Sequence, residues 1–223
     1  MKEIIQQINY LKPFVTENRM QRFDTVLAER TRYFTVILED LYQKHNQSAI
    51  VRSCDVFGVQ DMHIIENKYV SYISNQVAKG AQKWLDFKLY DSINHNTQSC
   101  IDAVKKAGYQ LIVTTPHNES CFVNDFAISK KSAFVFGLEK EGVSEQMMEQ
   151  ADGFIKIPMY GFTESLNVSV AAAIILQNVT DRMRKSDVNW QLSEAEKLQL
   201  KLQWMKKSIK NIDMIMERFS EML

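Results

Sequence analysis

Residues 134–176 read FVFGLEKEGVSEQMMEQADGFIKIPMYGFTESLNVSVAAAIIL. This stretch holds four of the chain's seven glycines, Gly137, Gly142, Gly153 and Gly161. Two apolar strand ends, FVFG at 134–137 and FIKIP at 154–158, each run into a loop of small or polar residues. A helix is predicted next, from about Leu166 to Arg184, and its small run SVAAA at 169–173 permits close packing. Ligands of open α/β sheets collect where loops leave the carboxyl ends of strands. Glycine lets a backbone approach a ligand with no Cβ in the way. Backbone groups near Leu138, Ile157 and Met159 are therefore expected to face a flat polar ligand such as adenine. A tight β–loop–α unit with no ligand is the alternative that spacing alone leaves open.

Outward from this stretch, strands alternate with helices. Strands are predicted at 34–39 (FTVILE), 62–66, 87–90, 109–114, 133–136 and 154–157, and helices at about 46–57, 74–79 and 97–107. Gly108 closes the last of these as a C-terminal cap. This alternation predicts an α/β fold, a mostly parallel sheet with helices on both faces. Helices precede it, at about 1–12 with Ile4, Ile5, Ile8 and Leu11 on one face, and at about 17–30 with Met20, Phe23, Val26 and Leu27 inward. The second carries Arg19, Arg22 and Arg30 on its other face. At the far end, Ser193 and Glu196 have capping-box spacing. Leu198, Leu202, Met205, Ile209, Ile212, Met216, Phe219 and Leu223 then form a heptad seam, which predicts one long amphipathic helix.

The chemistry is bounded by what is missing. There is no G-x-G-x-x-G after a strand and no G-x-x-x-x-G-K-[ST], so neither dinucleotide nor triphosphate cradling is indicated. His45, His63, His95 and His117 form no ligand spacing, and Cys54, Cys100 and Cys121 no C-x-x-C, so no metal is expected. Odd, widely spaced thiols fit a reducing cytoplasm, and no apolar run reaches the length of a membrane span.

A second segment reads HNQSAIVRSCD at 45–55. Asn46 is predicted to cap the following helix. Arg52, among Ala49, Ile50, Val51, Cys54, Val56 and Phe57, needs an anionic partner: a phosphate, or the carboxylate of Asp55 or Glu39.

Taken together the two segments resemble the motifs of the SpoU family of the SPOUT methyltransferase superfamily. The resemblance lies in N-x-x-A-I-x-R-S-C-D-x-x-G-V at 46–59, F-G-x-E-x-x-G at 136–142, I-P-M at 157–159 and S-L-N-V-S-V-A at 165–171. It runs in order from about Phe34 to Leu176. One departure is Lys44, where relatives often have proline; it alters a turn and not the chemistry. The arginine-bearing N-terminal helix and R-x-x-R-F at 19–23 most resemble the members that methylate a D-loop guanosine, position 18, of tRNA.

The resemblance implies S-adenosylmethionine as methyl donor, a deep trefoil knot around 137–176 and a homodimer whose subunits complete each other's sites. Three regions follow: a helical tRNA-binding extension at 1–32, a methyltransferase domain at 33–185 and a C-terminal amphipathic helix at 186–223. Arg52, Asn46, Glu139 and Asn167 are implied to be catalytic, and Gly137, Leu138, Ile157, Met159, Ser165 and Leu166 to bind the cofactor. Arg19, Arg22, Arg30, Arg182 and Arg184 would hold tRNA phosphates. A ribosomal-RNA 2′-O-methyltransferase and a non-catalytic RNA-binding dimer are the competing readings.

The net charge of zero hides a pattern: residues 1–32 and 178–223 each carry +2, and 33–177 carry −4. Cationic ends around an acidic middle exclude a basic coat and leave room for a few placed arginines.

Overall fold

The computed structural model describes residues 1–92, 94–115, 120–138 and 141–221. They fall into two compact units, Arg32–Trp190 and the two terminal segments Met1–Thr31 and Gln191–Leu223 together.

The larger unit is built on seven parallel strands: β1 (Phe34–Glu39), β2 (Asp61–Ile65), β3 (Asp86–Tyr90), β4 (Gln110–Thr114), β5 (Cys121–Phe122), β6 (Ser132–Phe136) and β7 (Gly153–Lys156). Their order is β3-β2-β1-β6-β4-β7-β5. The central β1 and β6 are buried along their whole length, which is why they read as unbroken apolar runs. Helices α3 (Lys44–Phe57), α4 (Asn75–Ala78), α5 (Asn96–Lys106) and α6 (Glu145–Glu149) lie between them, and α7 (Val168–Arg184) follows the last strand. Two buried clusters form. One contains Phe34, Phe134, Phe136, Ile50 and Leu176. The other contains Ile37, Val135, Ile101 and Met147.

The smaller unit packs α8 (Glu194–Ser208) against α1 (Lys2–Leu11) and α2 (Glu17–Glu29) around Leu11, Phe23, Leu200, Trp204 and Met205. The single long C-terminal helix is corrected here. It breaks after Ser208, Asn211 takes a left-handed φ of 53°, and α9 (Ile212–Glu221) begins again. Asparagine tolerates that conformation, so the heptad spacing runs on across a broken backbone. Leu223, the last position of that seam, lies outside the described residues. The capping box at Ser193 and Glu196 is formed. Two elements had no sequence signal: β5, only two residues long, and α6.

On the outer strands, His63 Nδ1 meets the Tyr90 hydroxyl at 2.9 Å. Burial, with Lys88 nearby, lowers the His63 pKa to about 4. Burial raises the Tyr90 phenol, and it pushes the Cys100 thiol up to about 12. The trio is a neutral, structural cluster in mid-range pH.

Candidate functional site

The cavity at the carboxyl ends of β4, β6 and β7 measures about 440 Å³. It gathers Gly137, Leu138, Ile157, Met159, Ser165 and Leu166, all six positions singled out for a cofactor. Leu138 and Gly142 exchange backbone hydrogen bonds, each 2.8 Å, folding the loop back on itself. The fold-back requires glycine at 137, because a Cβ there would lie 2.2 Å from the Gly142 carbonyl oxygen. Gly142 takes the left-handed turn, φ 72°.

The far end of this loop is anchored by Glu39, which the sequence offered only as a possible carboxylate partner of Arg52. Glu39 is 2% exposed and ends β1. Its carboxylate accepts from the Ser144 N–H at 2.8 Å, the Ser144 hydroxyl at 2.8 Å and the Thr97 hydroxyl at 2.8 Å. Ser144 in turn caps α6. Only the isolated acid at the end of an apolar strand could have flagged Glu39; its partner lies 105 residues away. Glu39 is thereby removed as a counter-ion for Arg52.

Asn46 is not the cap of α3, which begins two residues earlier with Gln43 at the N-cap. Lys44 thus occupies the first helical position, where proline is also well tolerated. Asn46 is buried inside the first turn. Its Nδ2 donates to Gln43 Oε1 at 2.6 Å, and its Oδ1 accepts from Asn167 Nδ2 at 3.0 Å. Asn167 caps α7, accepting from the Ser169 N–H at 2.9 Å and the Ser169 hydroxyl at 2.6 Å. The two asparagines therefore meet beside the cavity, between α3 and α7.

Arg52 stands apart. It is exposed, six residues along α3 from Asn46, or ~9 Å at ~1.5 Å per residue. It lines a second, open cavity with His45, Val56, Lys79 and Ala173. Its side chain makes no ion pair or hydrogen bond among the described residues. Glu139 lies outside the described residues.

The five candidate phosphate-binding arginines separate. Arg19 and Arg22 are exposed on α2. Arg30 is corrected: it is 1% exposed, with its guanidinium 5.5 Å from the Trp204 ring centroid. The chain leaves α2 in extended conformation at Arg30 (φ −77°, ψ 147°), which turns this side chain inward. Arg182 donates to the carbonyls of Val123 at 3.0 Å and Phe126 at 2.7 Å. Arg184 donates to the Phe57 carbonyl at 3.0 Å and stacks on Trp190. Both are half-buried ties that hold α7 to its neighbours.

Among the described residues no cluster of His, Cys, Asp or Glu is arranged to hold a metal, and no helix is long and apolar enough to cross a membrane.

A family model described as the SpoU rRNA Methylase family matches residues 33–177. The chain is 36% identical over 213 residues to a protein named tRNA (guanosine(18)-2′-O)-methyltransferase from Borreliella burgdorferi, with 96% of each chain covered. A protein of the same name from Thermus thermophilus is 37% identical over 161 residues, covering 72% of this chain and 81% of that one. Among solved structures, the A. aeolicus TrmH/SpoU tRNA modifying enzyme aligns with a TM-score of 0.75 and 34% identity, covering 87% of this chain and 98% of that one. The SpoU methyltransferase AviRb from Streptomyces viridochromogenes, in complex with AdoMet, shares the fold at a TM-score of 0.61 and 24% identity, covering 72% and 64%. With its α/β sheet, its strand-end cavity and these relatives, the chain belongs to the SpoU methylase family.

Proposed function

We propose that the protein methylates the ribose 2′-hydroxyl of guanosine 18 in the D-loop of tRNA, using S-adenosylmethionine. The observation that carries this is the cavity at the ends of β4, β6 and β7, flanked by the Asn46–Asn167 pair. A relative matched over nearly the full chain bears that activity in its name.

The cavity suits the cofactor. Its volume falls within the range of small-ligand sites, and apolar side chains with backbone polar groups suit an adenine ring. When bound there, S-adenosylmethionine supplies an electrophilic sulfonium methyl group. Gly137, Leu138, Ile157, Met159, Ser165 and Leu166 hold it, largely through backbone. Asn46 and Asn167 form the polar edge that orients the substrate.

Arg52 holds the ribose phosphate and stabilises the developing oxyanion. It does not take the proton, since a guanidinium stays protonated; the proton leaves to water or a phosphate oxygen. Arg52 does not line the cavity of its own chain, which supports a homodimer in which a second subunit completes the site. Glu139 is its counter-ion in that reading. The trefoil knot around 137–176, the tRNA-binding role of the N-terminal helices and a cytoplasmic location belong to the same proposal.

Methyl transfer to tRNA transcripts with and without guanosine at position 18 tests it. Labelling confined to the guanosine-18 transcript is expected; equal labelling of both overturns the substrate, and labelling of ribosomal RNA instead favours the sister activity.

A further inference from the structure

A smaller cavity, about 280 Å³, opens beside the asparagine pair and includes Tyr42, Asn46, Tyr69, Leu138 and Glu141. Leu138 and Glu141 also line the strand-end cavity, so the two adjoin. Tyr42 is 55% exposed and Tyr69 40% exposed, yet their rings pack on each other with centroids 5.4 Å apart. Exposed aromatic rings in fixed positions beside a reaction site form a binding surface, since their apolar area finds no cover within the chain.

The fixing is visible. Asp40, in left-handed conformation at φ 54°, turns its carboxylate back onto the loop after β2. It accepts from the Asn67 N–H at 2.7 Å, the Lys68 N–H at 2.8 Å and Asn67 Nδ2 at 3.2 Å. Tyr69 follows directly. Tyr42 leads into α3, two residues past Asp40. A single strand end thus sets both rings.

Glu141 adds a chemical preference. Its Oε2 pairs with Lys68 Nζ at 3.2 Å, and Oε1 has no partner among the described residues. A carboxylate is an acceptor with capacity for more than one donor. Among the four RNA bases only guanine offers two adjacent donors, N1–H and the 2-amino group, on its pairing edge. Adenine and cytosine place an acceptor beside their amine, and uracil flanks its one donor with carbonyls.

We propose that Tyr42 and Tyr69 are the stacking seat of the target guanine, and that Glu141 reads its N1–H and 2-amino edge. The inference rests on the methyltransferase reading and extends it to how the base is chosen. An aromatic surface alone holds any base; the carboxylate makes the seat selective.

The test uses the full chain with S-adenosylmethionine and tRNA transcripts carrying guanosine or inosine at position 18; inosine lacks the 2-amino group. Tyr42→Ala and Tyr69→Ala are expected to raise KM for tRNA by about tenfold while cofactor affinity, read by calorimetry, stays unchanged. Tyr42→Phe is expected to restore KM, because the ring face remains. Wild type is expected to favour guanosine over inosine by about tenfold, and Glu141→Gln to bring the two within about twofold. An unchanged KM in both alanine variants, or an unchanged guanosine-to-inosine ratio in Glu141→Gln, overturns the seat. A change of oligomeric size in Tyr42→Ala with KM unchanged also overturns it and makes the platform a contact between copies. If the wild-type protein labels neither transcript, the methyltransferase reading falls and takes the seat with it. Labelling by wild type with indifferent variants removes the seat alone.

Discussion

Asn167 donates from Nδ2 to Oδ1 of Asn46 across 3.0 Å, tying the cap of α7 to the first turn of α3 over 121 residues of chain. Asn167 does two separable things, because its Oδ1 also accepts from Ser169 and starts α7. Asn167→Asp keeps an acceptor for the cap and loses the donor to Asn46. It is expected to leave Tm nearly unchanged while kcat falls by about tenfold or more. Asn167→Ala loses both and is expected to drop Tm as well, by about 2–4 °C for a cap worth ~1 kcal/mol. Thermal unfolding beside single-turnover methyl transfer distinguishes them. Wild-type turnover in Asn167→Asp would make the pair scaffolding only.

Gly137 and Gly161 offer a matched contrast. A Cβ at 137 meets three backbone atoms within 2.2–2.6 Å, and one at 161 meets nothing within 4 Å. Gly137→Ala is expected to open the loop and weaken S-adenosylmethionine binding by about tenfold or more, with Gly161→Ala within about twofold of wild type. Calorimetric titration of the cofactor reads both. Equal affinities would show that the fold-back at 137–142 does not shape the pocket.

His63 makes stability depend on acid. Its pKa is about 4 when folded, against an ordinary 6.5, so it is neutral in both states above that range. As pH falls from 6.5 toward 4 the unfolded chain takes a proton that the folded one refuses, and stability declines. Below about 4 both states are protonated and the decline stops. The slope from this group is at most ~1.4 kcal/mol per pH unit. His63→Gln is expected to flatten that interval in urea titrations between pH 7 and pH 4. An unaltered profile would place the acid sensitivity elsewhere.

The arginines of α2 and its end should part company in salt. Replacing Arg19 and Arg22 with alanine is expected to lower the slope of log affinity for tRNA against log salt by ~0.7–0.9 for each phosphate no longer neutralised. Arg30→Ala is expected to leave the slope intact and to destabilise the unit that holds Trp204, since a buried side chain is removed. Filter binding over a salt series, with thermal unfolding, separates the two. A slope change in Arg30→Ala alone would reverse the assignment.

These contrasts show which features were legible in the residues. The inner strands were, because FTVILE and SAFVF are buried on both faces and carry no alternation to misread. The loop after β6 was, because its fold-back onto Gly142 demands glycine at 137; the glycine after β7, Gly161, meets no close backbone. Arg30 was not: it follows the last turn of α2, where helical spacing no longer says which way a side chain points. The break at Asn211 was hidden because a heptad pattern records apolar spacing and is blind to one left-handed residue. Glu39 was hidden because its meaning depends on Thr97 and Ser144, which only the fold brings to it.

The place of β6 governs how the chain can reach this fold at all. Ser132–Phe136 lies between β1 and β4 and supplies Phe134 and Phe136 to one cluster and Ala133 and Val135 to the other. During synthesis β1 can pair early with β2, but β4 emerges with neither of its neighbours, β6 and β7, yet made. Both apolar layers stay open until the ribosome has passed residue 136 of 223. Distant parallel pairing of this kind is slow and leaves bare strand edges prone to association. The order of synthesis and the order of pairing oppose each other, and a nascent fragment ending before β6 lacks the strand that joins β1 to β4.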